Sequence, residues 1–205
     1  MATEYRHISD CAVVLPGFSI KTRVEHEPDG THQVLMAKHL KESRPYCYED
    51  DHEIRITPAP AANKYLLKTG DIVFISRGIR NSAHVIEQAP MCTVASSTLY
   101  ILRVNPGVDA CYLAWCINQS PIQAAIKKAR TGASTPIVQR DKFAEIIVPM
   151  PCGEKQRKIA ALAALMNREK ELREKLLEQT IIYHKEVGRR LLSKLLQEYV
   201  APGQK

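Results

Sequence analysis

Short β-prone apolar runs bounded by glycine and proline fill the first half of the chain, helical spacings follow, and a proline-free amphipathic stretch comes last. Ile72 to Ile75 is a continuous apolar run between Gly70 and Gly78, the pattern of a buried strand. Ala83 to Ile86 and Thr98 to Val104, which contains Leu99-Tyr100-Ile101-Leu102, predict two further strands. Gln33 to Met36 and Glu53 to Thr57 predict brief strands ahead of them, and Glu145 to Val148 a last one. Ile8 to Leu15 reads as a helical turn or a strand feeding a turn, because Pro16-Gly17 interrupts any continuing period. The charged segment from Lys21 ends in the turn signal Pro28-Asp29-Gly30. Apart from the strand at Glu53, the segment from Lys38 to Pro60, with Pro45, Pro58 and Pro60, predicts irregular surface loop.

Between Asp109 and Ala129 the apolar residues Tyr112, Leu113, Cys116 and Ile117 share one helical face. Pro121 restarts a second helix, since proline suits a first turn and not an interior, and Ile122, Ala125, Ile126 and Ala129 form its inner face. Thr131 to Pro136 ends that helix. From Glu154 to Tyr199 there is no proline, and good helix formers dominate. A continuous helix there extends about 69 Å at roughly 1.5 Å per residue. Ile159, Leu162, Leu165, Leu172, Leu176, Tyr183, Val187, Leu191 and Leu195 step by three, four or seven, the spacing of a coiled-coil seam. A body of about 150 residues cannot cover such a stripe along its whole length, so a second helix is the expected partner. A helix folded back on its own domain is the alternative. Gly188 costs about 1 kcal/mol relative to alanine and marks a candidate break. The chain thus divides into an α/β body over 1–151, a long helix over 152–199 and a tail over 200–205.

Composition narrows the function. Lys and Arg number 29 against 22 Asp and Glu, a formal +7 that favours association with a polyanion through steering and counterion release. Charge alone fits a merely basic soluble protein equally well. The six cysteines include no C-x-x-C pair, which predicts reduced thiols. No run of about 18 apolar residues occurs, and Met1 to Arg6 lacks the apolar core of a signal peptide, so the expected location is the cytoplasm, with no membrane partner. His26, His32 and His39 lie near one another in sequence, but no cysteine or carboxylate completes a zinc set, and no metal is expected. Nor is a catalytic centre. Asp71 with Glu87 or Glu53 could be imagined as nuclease carboxylates, yet no lysine follows in a strand pattern and no glycine loop suggests a nucleotide. Asn105-Pro106-Gly107-Val108 lacks the second proline and the aromatic of an Asn-Pro-Pro-aromatic methyltransferase motif.

Several segments in order carry a resemblance. These are Ile8-Ser9-Asp10 with Gly17-Phe18-Ser19, Gly70-Asp71-Ile72-Val73 with Gly78, and Ser96 to Arg103 followed by Tyr112-Leu113. Thr131 to Ile137 comes next, then Ile147-Val148-Pro149-Met150-Pro151 with Glu154-Lys155-Gln156. Read together they resemble the DNA sequence-specificity subunits of type I restriction-modification systems over most of the chain. The resemblance implies a target recognition domain, a mixed sheet with helices that presents loops to a DNA groove, followed by a coiled-coil helix and without a catalytic centre. Members of that family usually carry two such domains and two long helices that pair antiparallel; this sequence has one of each, as a half-length subunit would. The implied partners are double-stranded DNA, a second copy of the chain, modification methyltransferase subunits that hold the S-adenosylmethionine, and a restriction subunit.

A groove reader needs phosphate contacts for register and hydrogen-bonding side chains for base edges. Lys21, Arg23, Lys38, Arg44 and Tyr46, in the polar region before Gly70, are candidates, as are Arg77, Arg80, Asn81 and Ser82 after the central strand. Arginine grips guanine, and asparagine adenine, through paired hydrogen bonds. Lys127, Lys128, Arg130, Ser134 and Thr135 suit phosphates. Taken singly, each also reads as an ordinary solvated surface residue. The rival is a scaffold or regulator that assembles or inhibits a methyltransferase through the same helix without reading bases.

Overall fold

A sheet buried on both faces organises the body in the computed structural model, which describes residues 3–19, 25–41, 44–58, 60–132 and 134–200. The chain forms β1 (Glu4–His7), a single-turn helix α1 (Ile8–Cys11) and β2 (Ala12–Pro16). β3 (His32–Leu35), β4 (Tyr46–Cys47) and β5 (Arg55–Ile56) are short, as the prolines and charges around them dictate. β6 (Ile72–Ile75), β7 (Ala83–Gln88), β8 (Thr93–Ala95) and β9 (Leu99–Val104) follow, then the helices α2 (Ala110–Ile117) and α3 (Ser120–Lys128). A small hairpin, β10 (Arg130–Thr131) with β11 (Ile137–Val138), precedes α4 (Arg140–Ala144), β12 (Ile147–Met150) and α5 (Gly153–Val200).

The five-stranded sheet has the order β2-β9-β6-β7-β4, antiparallel except where β4 runs parallel to β7. Successive side chains on a strand point to opposite faces, and both faces here meet apolar partners. Ile72 and Phe74, with Ala83, Val85 and Leu102, pack against Leu113, Ile117, Ile126 and Phe143 of the helices. Val73 and Ile75, with Ile86, Leu99 and Ile101, pack against Leu35, Leu40, Tyr46 and Ala95. That is why β6 carries no polar alternation. A three-stranded sheet, β5-β3-β8, forms its own small core around Val34, Ile56 and Val94.

Most predicted elements are present with shifted ends. The strand expected at Glu53 to Thr57 shrinks to β5, and the last strand runs from Ile147 to Met150, through Pro149. Proline is tolerated there because β12 belongs to a two-stranded ribbon with β1, where Pro149 faces Tyr5. The stretch from 109 to 129 is two helices, the first capped by Asp109, whose carboxylate accepts the Tyr112 N–H at 2.9 Å, the second with Pro121 in its first turn.

The helix α5 runs unbroken through Gly188, so that glycine does not divide it. Two compact units share this helix, Met1–Ala163 and Ala164–Lys205. Its first turns belong to the body: Ile159 and Ala160 pack against the larger core, and the buried Gln156 accepts the Asp109 N–H at 2.9 Å while donating to the Pro151 carbonyl at 2.8 Å. The α/β unit therefore extends past residue 151 into the helix. Within the second unit, Leu165, Leu176 and Val187 recur every eleven residues, as do Leu172 with Tyr183 and Thr180 with Leu191. Eleven residues in three turns is about 3.67 per turn, slightly above the natural helical period, so this stripe drifts slowly about the helix in the sense opposite to a heptad seam. Leu165, Leu172, Leu176, Tyr183, Leu191 and Leu195 are between 52% and 68% exposed, which is the accessibility a partner helix requires. Val200 is the last helical residue, and 201–205 of the expected tail lie outside the described residues.

Two glycines give opposite expectations. A Cβ on Gly17 would collide with the Ser96 carbonyl and lie 2.8 Å from that of Leu99, both fixed backbone, whereas one on Gly188 meets nothing within 4 Å. Gly17→Ala should lower the urea-unfolding stability of the body by about 1–3 kcal/mol. Gly188→Ala should raise helicity and stability by up to about 1 kcal/mol.

Candidate nucleic-acid interface

The connection from β6 to β7, residues 76–82, exposes Arg77, Ile79 and Arg80 and is anchored on two sides. Gly78, with φ +91°, turns the chain, and its N–H donates to the Pro136 carbonyl at 2.8 Å. Arg77 forms a bridge with Ile137, and Val138 N–H reaches the Ser76 carbonyl at 2.9 Å, so the loop lies beside the β10–β11 hairpin as an added backbone layer. From the helical side, Arg130 donates from Nε to Asn81 Oδ1 and from Nη2 to the Ile79 carbonyl, both at 2.7 Å. Gln123 donates to the Asn81 carbonyl at 2.8 Å, and Asn118 exchanges two 2.8 Å bonds with the Ala83 backbone. From the opposite side, Arg80 Nη2 donates to the carbonyls of Ala37 and Leu40 at 2.9 and 2.8 Å. His84 lies 2.8 Å from the Arg44 carbonyl through Nδ1 and 2.7 Å from Ser82 Oγ through Nε2.

This geometry sorts the sequence candidates. Arg77, Lys38, Lys127, Lys128, Ser134 and Thr135 are exposed, and the two lysines close the last turn of α3 just before the hairpin. Arg80 and Arg130 have committed guanidinium hydrogen bonds to carbonyls, so their first role is to hold the loop. Asn81, 3% exposed, also donates to the Ile75 carbonyl at 2.8 Å and is a brace at the base of the loop rather than its reading edge. Ser82 is half-buried against His84, and Arg44 is half-buried. Tyr46 is buried in the core, its ring stacked 5.7 Å from that of His52, and presents nothing outward. Lys21 and Arg23 lie outside the described residues. Of the helix positions named for a seam, Ile159 is the one packed into the body, and Val187 is half-buried.

Some participants leave no mark in the sequence. Gln123 and Asn118 look like ordinary helix residues, and nothing local discloses that they pin a loop some forty residues earlier. Ile79 is different: a β-branched apolar residue between Gly78 and Arg80 in a polar loop is a visible anomaly, and it stands 80% exposed.

The acids considered for catalysis are separately occupied. Asp71 accepts the Lys68 N–H at 3.0 Å and lies 3.6 Å from Arg103, which also donates to the Leu66 carbonyl at 2.8 Å. Burial pushes the Asp71 carboxyl up, while the Lys68 N–H and Arg103 pull it down. Glu53 pairs with Arg55 at 2.7 Å, and Glu87 accepts from the Cys47 thiol at 3.4 Å. Among the described residues no group of three or more His, Cys, Asp or Glu is placed to hold a metal ion, and no helix is long and apolar enough to cross a membrane.

No protein-family profile and no curated protein matches the chain. Solved structures do. The S subunit of a type I restriction-modification system from M. genitalium superposes with a TM-score of 0.56 at 13% identity, over 83% of this chain and 40% of that one. The HsdS subunit of Thermoanaerobacter tengcongensis gives 0.59 at 12% identity, over 82% and 38%. A chain in a structure describing complex assembly and conformational transition of the type I R-M system gives 0.71 at 14% identity, over 94% and 45%. This chain therefore carries, over most of its length, the target-recognition-domain fold and long helix of type I restriction-modification S subunits, and it spans less than half the length of those it matches.

Proposed function

We propose that this chain is a non-catalytic DNA sequence-specificity subunit of a type I-like restriction-modification system or a related methylation-based defence. The observation that carries the reading is the 76–82 loop: exposed, cationic at Arg77, and fixed from two sides by hydrogen bonds. A reader gains affinity when its contact surface is ordered before binding, because little conformational entropy is then lost. In this reading the exposed Arg77 meets a base edge, Lys127, Lys128, Ser134 and Thr135 meet phosphates, and Lys38 extends the basic surface on the Arg80 side. The likeness to S subunits supports the same role.

Self-pairing through α5 completes the proposal. Its support is the exposed set from Leu165 to Leu195, which only another helix would bury over that length. Two copies related by a twofold axis read two half-sites of an interrupted palindrome. Methyltransferase subunits carrying S-adenosylmethionine, and a restriction subunit, act on the DNA so marked; this chain contributes address and assembly.

Three measurements test these roles. Leu172→Glu with Leu176→Glu should turn a dimer into a monomer by light scattering, and an unchanged dimer mass would exclude the seam. In a selection from random duplexes, Arg77→Ala should weaken the enriched sequence by about 5- to 150-fold and a scrambled one far less, with melting unchanged, whereas Asn81→Ala should lower the melting temperature. Lys127→Ala with Lys128→Ala should weaken all duplexes alike and reduce the slope of log K against log salt by about 2. A chain that enriches no sequence yet co-purifies with a methyltransferase would instead be a scaffold.

A further inference from the structure

The loop presents one apolar side chain where everything else exposed is polar. Ile79 is 80% exposed, and its position is set by its neighbours: Gly78 at φ +91° on one side, Arg80 tied to the Ala37 and Leu40 carbonyls on the other, and its own carbonyl held by Arg130. A single exposed aliphatic residue is ordinary on a protein surface. One held at the apex of a loop by hydrogen bonds from both sides, and flanked by Arg77 and Arg80, is a side chain displayed in a fixed place. Isoleucine is also stiff at χ1, so contact there costs little rotamer freedom.

Resting on the reading of this chain as a DNA specificity subunit, we propose that Ile79 is a specificity-determining residue that packs against the C5 methyl group of a thymine in the major groove. That methyl is the one apolar exocyclic group the major groove displays. The groove follows from the width of the tip. Gly78 N–H donates to the Pro136 carbonyl and Val138 N–H to the Ser76 carbonyl on either side of the Arg77–Ile137 bridge, so the segment that carries Ile79 is paired with β11 and is at least two strands wide. The major groove, about 12 Å wide, admits a two-stranded element, and the minor groove, about 6 Å wide, does not. The neighbouring guanidinium of Arg77 meets an adjoining base edge or phosphate, and Ile79 supplies discrimination that a cation cannot, because it gains from a methyl and from nothing else along the groove floor.

The test uses the full chain and the duplex it enriches from a random pool. Each thymine of that duplex is replaced singly by deoxyuridine, which removes the methyl and leaves every hydrogen-bonding group. At one thymine the replacement should weaken the wild-type chain about fourfold, the effect of withdrawing one buried methyl group. Ile79→Ala should weaken the unmodified duplex by a similar or larger factor and be indifferent to uracil at that position, while melting as the wild type does. The proposal is overturned if every uracil is tolerated by the wild type, or if Ile79→Ala retains the full uracil effect. It is overturned too if Ile79→Ala abolishes a DNA kink seen by end-to-end energy transfer with uracil tolerated, which would make the residue a minor-groove wedge. Failure to enrich any sequence would remove the DNA reading itself, a result distinct from these.

Discussion

Everything in the body depends on the central sheet having to bury both of its faces. β6 has no polar face to offer water, so helices must cover Ile72 and Phe74 while the β3 and β4 region covers Val73 and Ile75. The sheet thereby becomes the middle of three layers. Where β6 gives way to β7, the connection emerges between two covering layers and has polar backbone groups that each can satisfy. Arg130, Gln123 and Asn118 reach it from the helical side, and Arg80 reaches from it to Ala37 and Leu40 on the other. A loop with a single neighbour could be tied down along one edge only. The candidate interface is thus a by-product of how the core closes, which is why a rigid apex stands at this end of the sheet.

That origin explains what could be read in advance. Ile72 to Ile75, the apolar part of β9 and the restart at Pro121 declare themselves through local period or local stereochemistry, and the long helix does so through composition over many turns. The β10–β11 hairpin has two residues per strand and no period to detect, and β1 and β12 are joined across the whole body by pairing of Tyr5 with Pro149 and His7 with Ile147. Those pairings depend on sequence far away. The same holds inside the site. Asn81 looks like an adenine reader in a polar loop, and its burial follows only when Arg130, 49 residues on, and Gln123 arrive. Tyr46 looks like a loop aromatic until Leu35, Leu40 and the sheet face formed by Val73, Ile75 and Ile86 close over it. Arg77, Lys127 and Lys128 are legible in place because exposure is the default for such residues.

Arginine does two jobs here, and geometry separates them. A guanidinium has five N–H donors in a planar fork; directing one edge at carbonyls removes the free rotation that a reading side chain needs to find a base edge. Arg80 and Arg130 hold backbone and so fix where Arg77 and Ile79 stand. Losing a brace in this setting loosens the apex without removing any side chain displayed on it, so its effect enters through entropy of the loop rather than through a missing contact.

The helix raises the complementary question of what keeps a long rod helical where its leucines stand exposed. Glu169 with Arg173, Lys170 with Glu174, and Glu186 with Arg189 and Arg190 line its polar faces. Hydrogen bonds from Arg189 and then Arg190 hold the Glu186 carboxyl down at about 2. Pairs of this kind at a solvated surface are screened and contribute little. Leu165, Leu172, Leu176 and Leu191, each more than half exposed, represent far more unrealised free energy, since burying a leucine is worth about 1.5–3 kcal/mol. The charges suit a helix that is wet on its outer faces, and the leucines form an apolar face on which burial would be favourable. An eleven-residue recurrence adds the geometric condition: at about 3.67 residues per turn the stripe drifts slowly about the axis in the sense opposite to a heptad seam, so a second helix that follows it takes a right-handed supercoil.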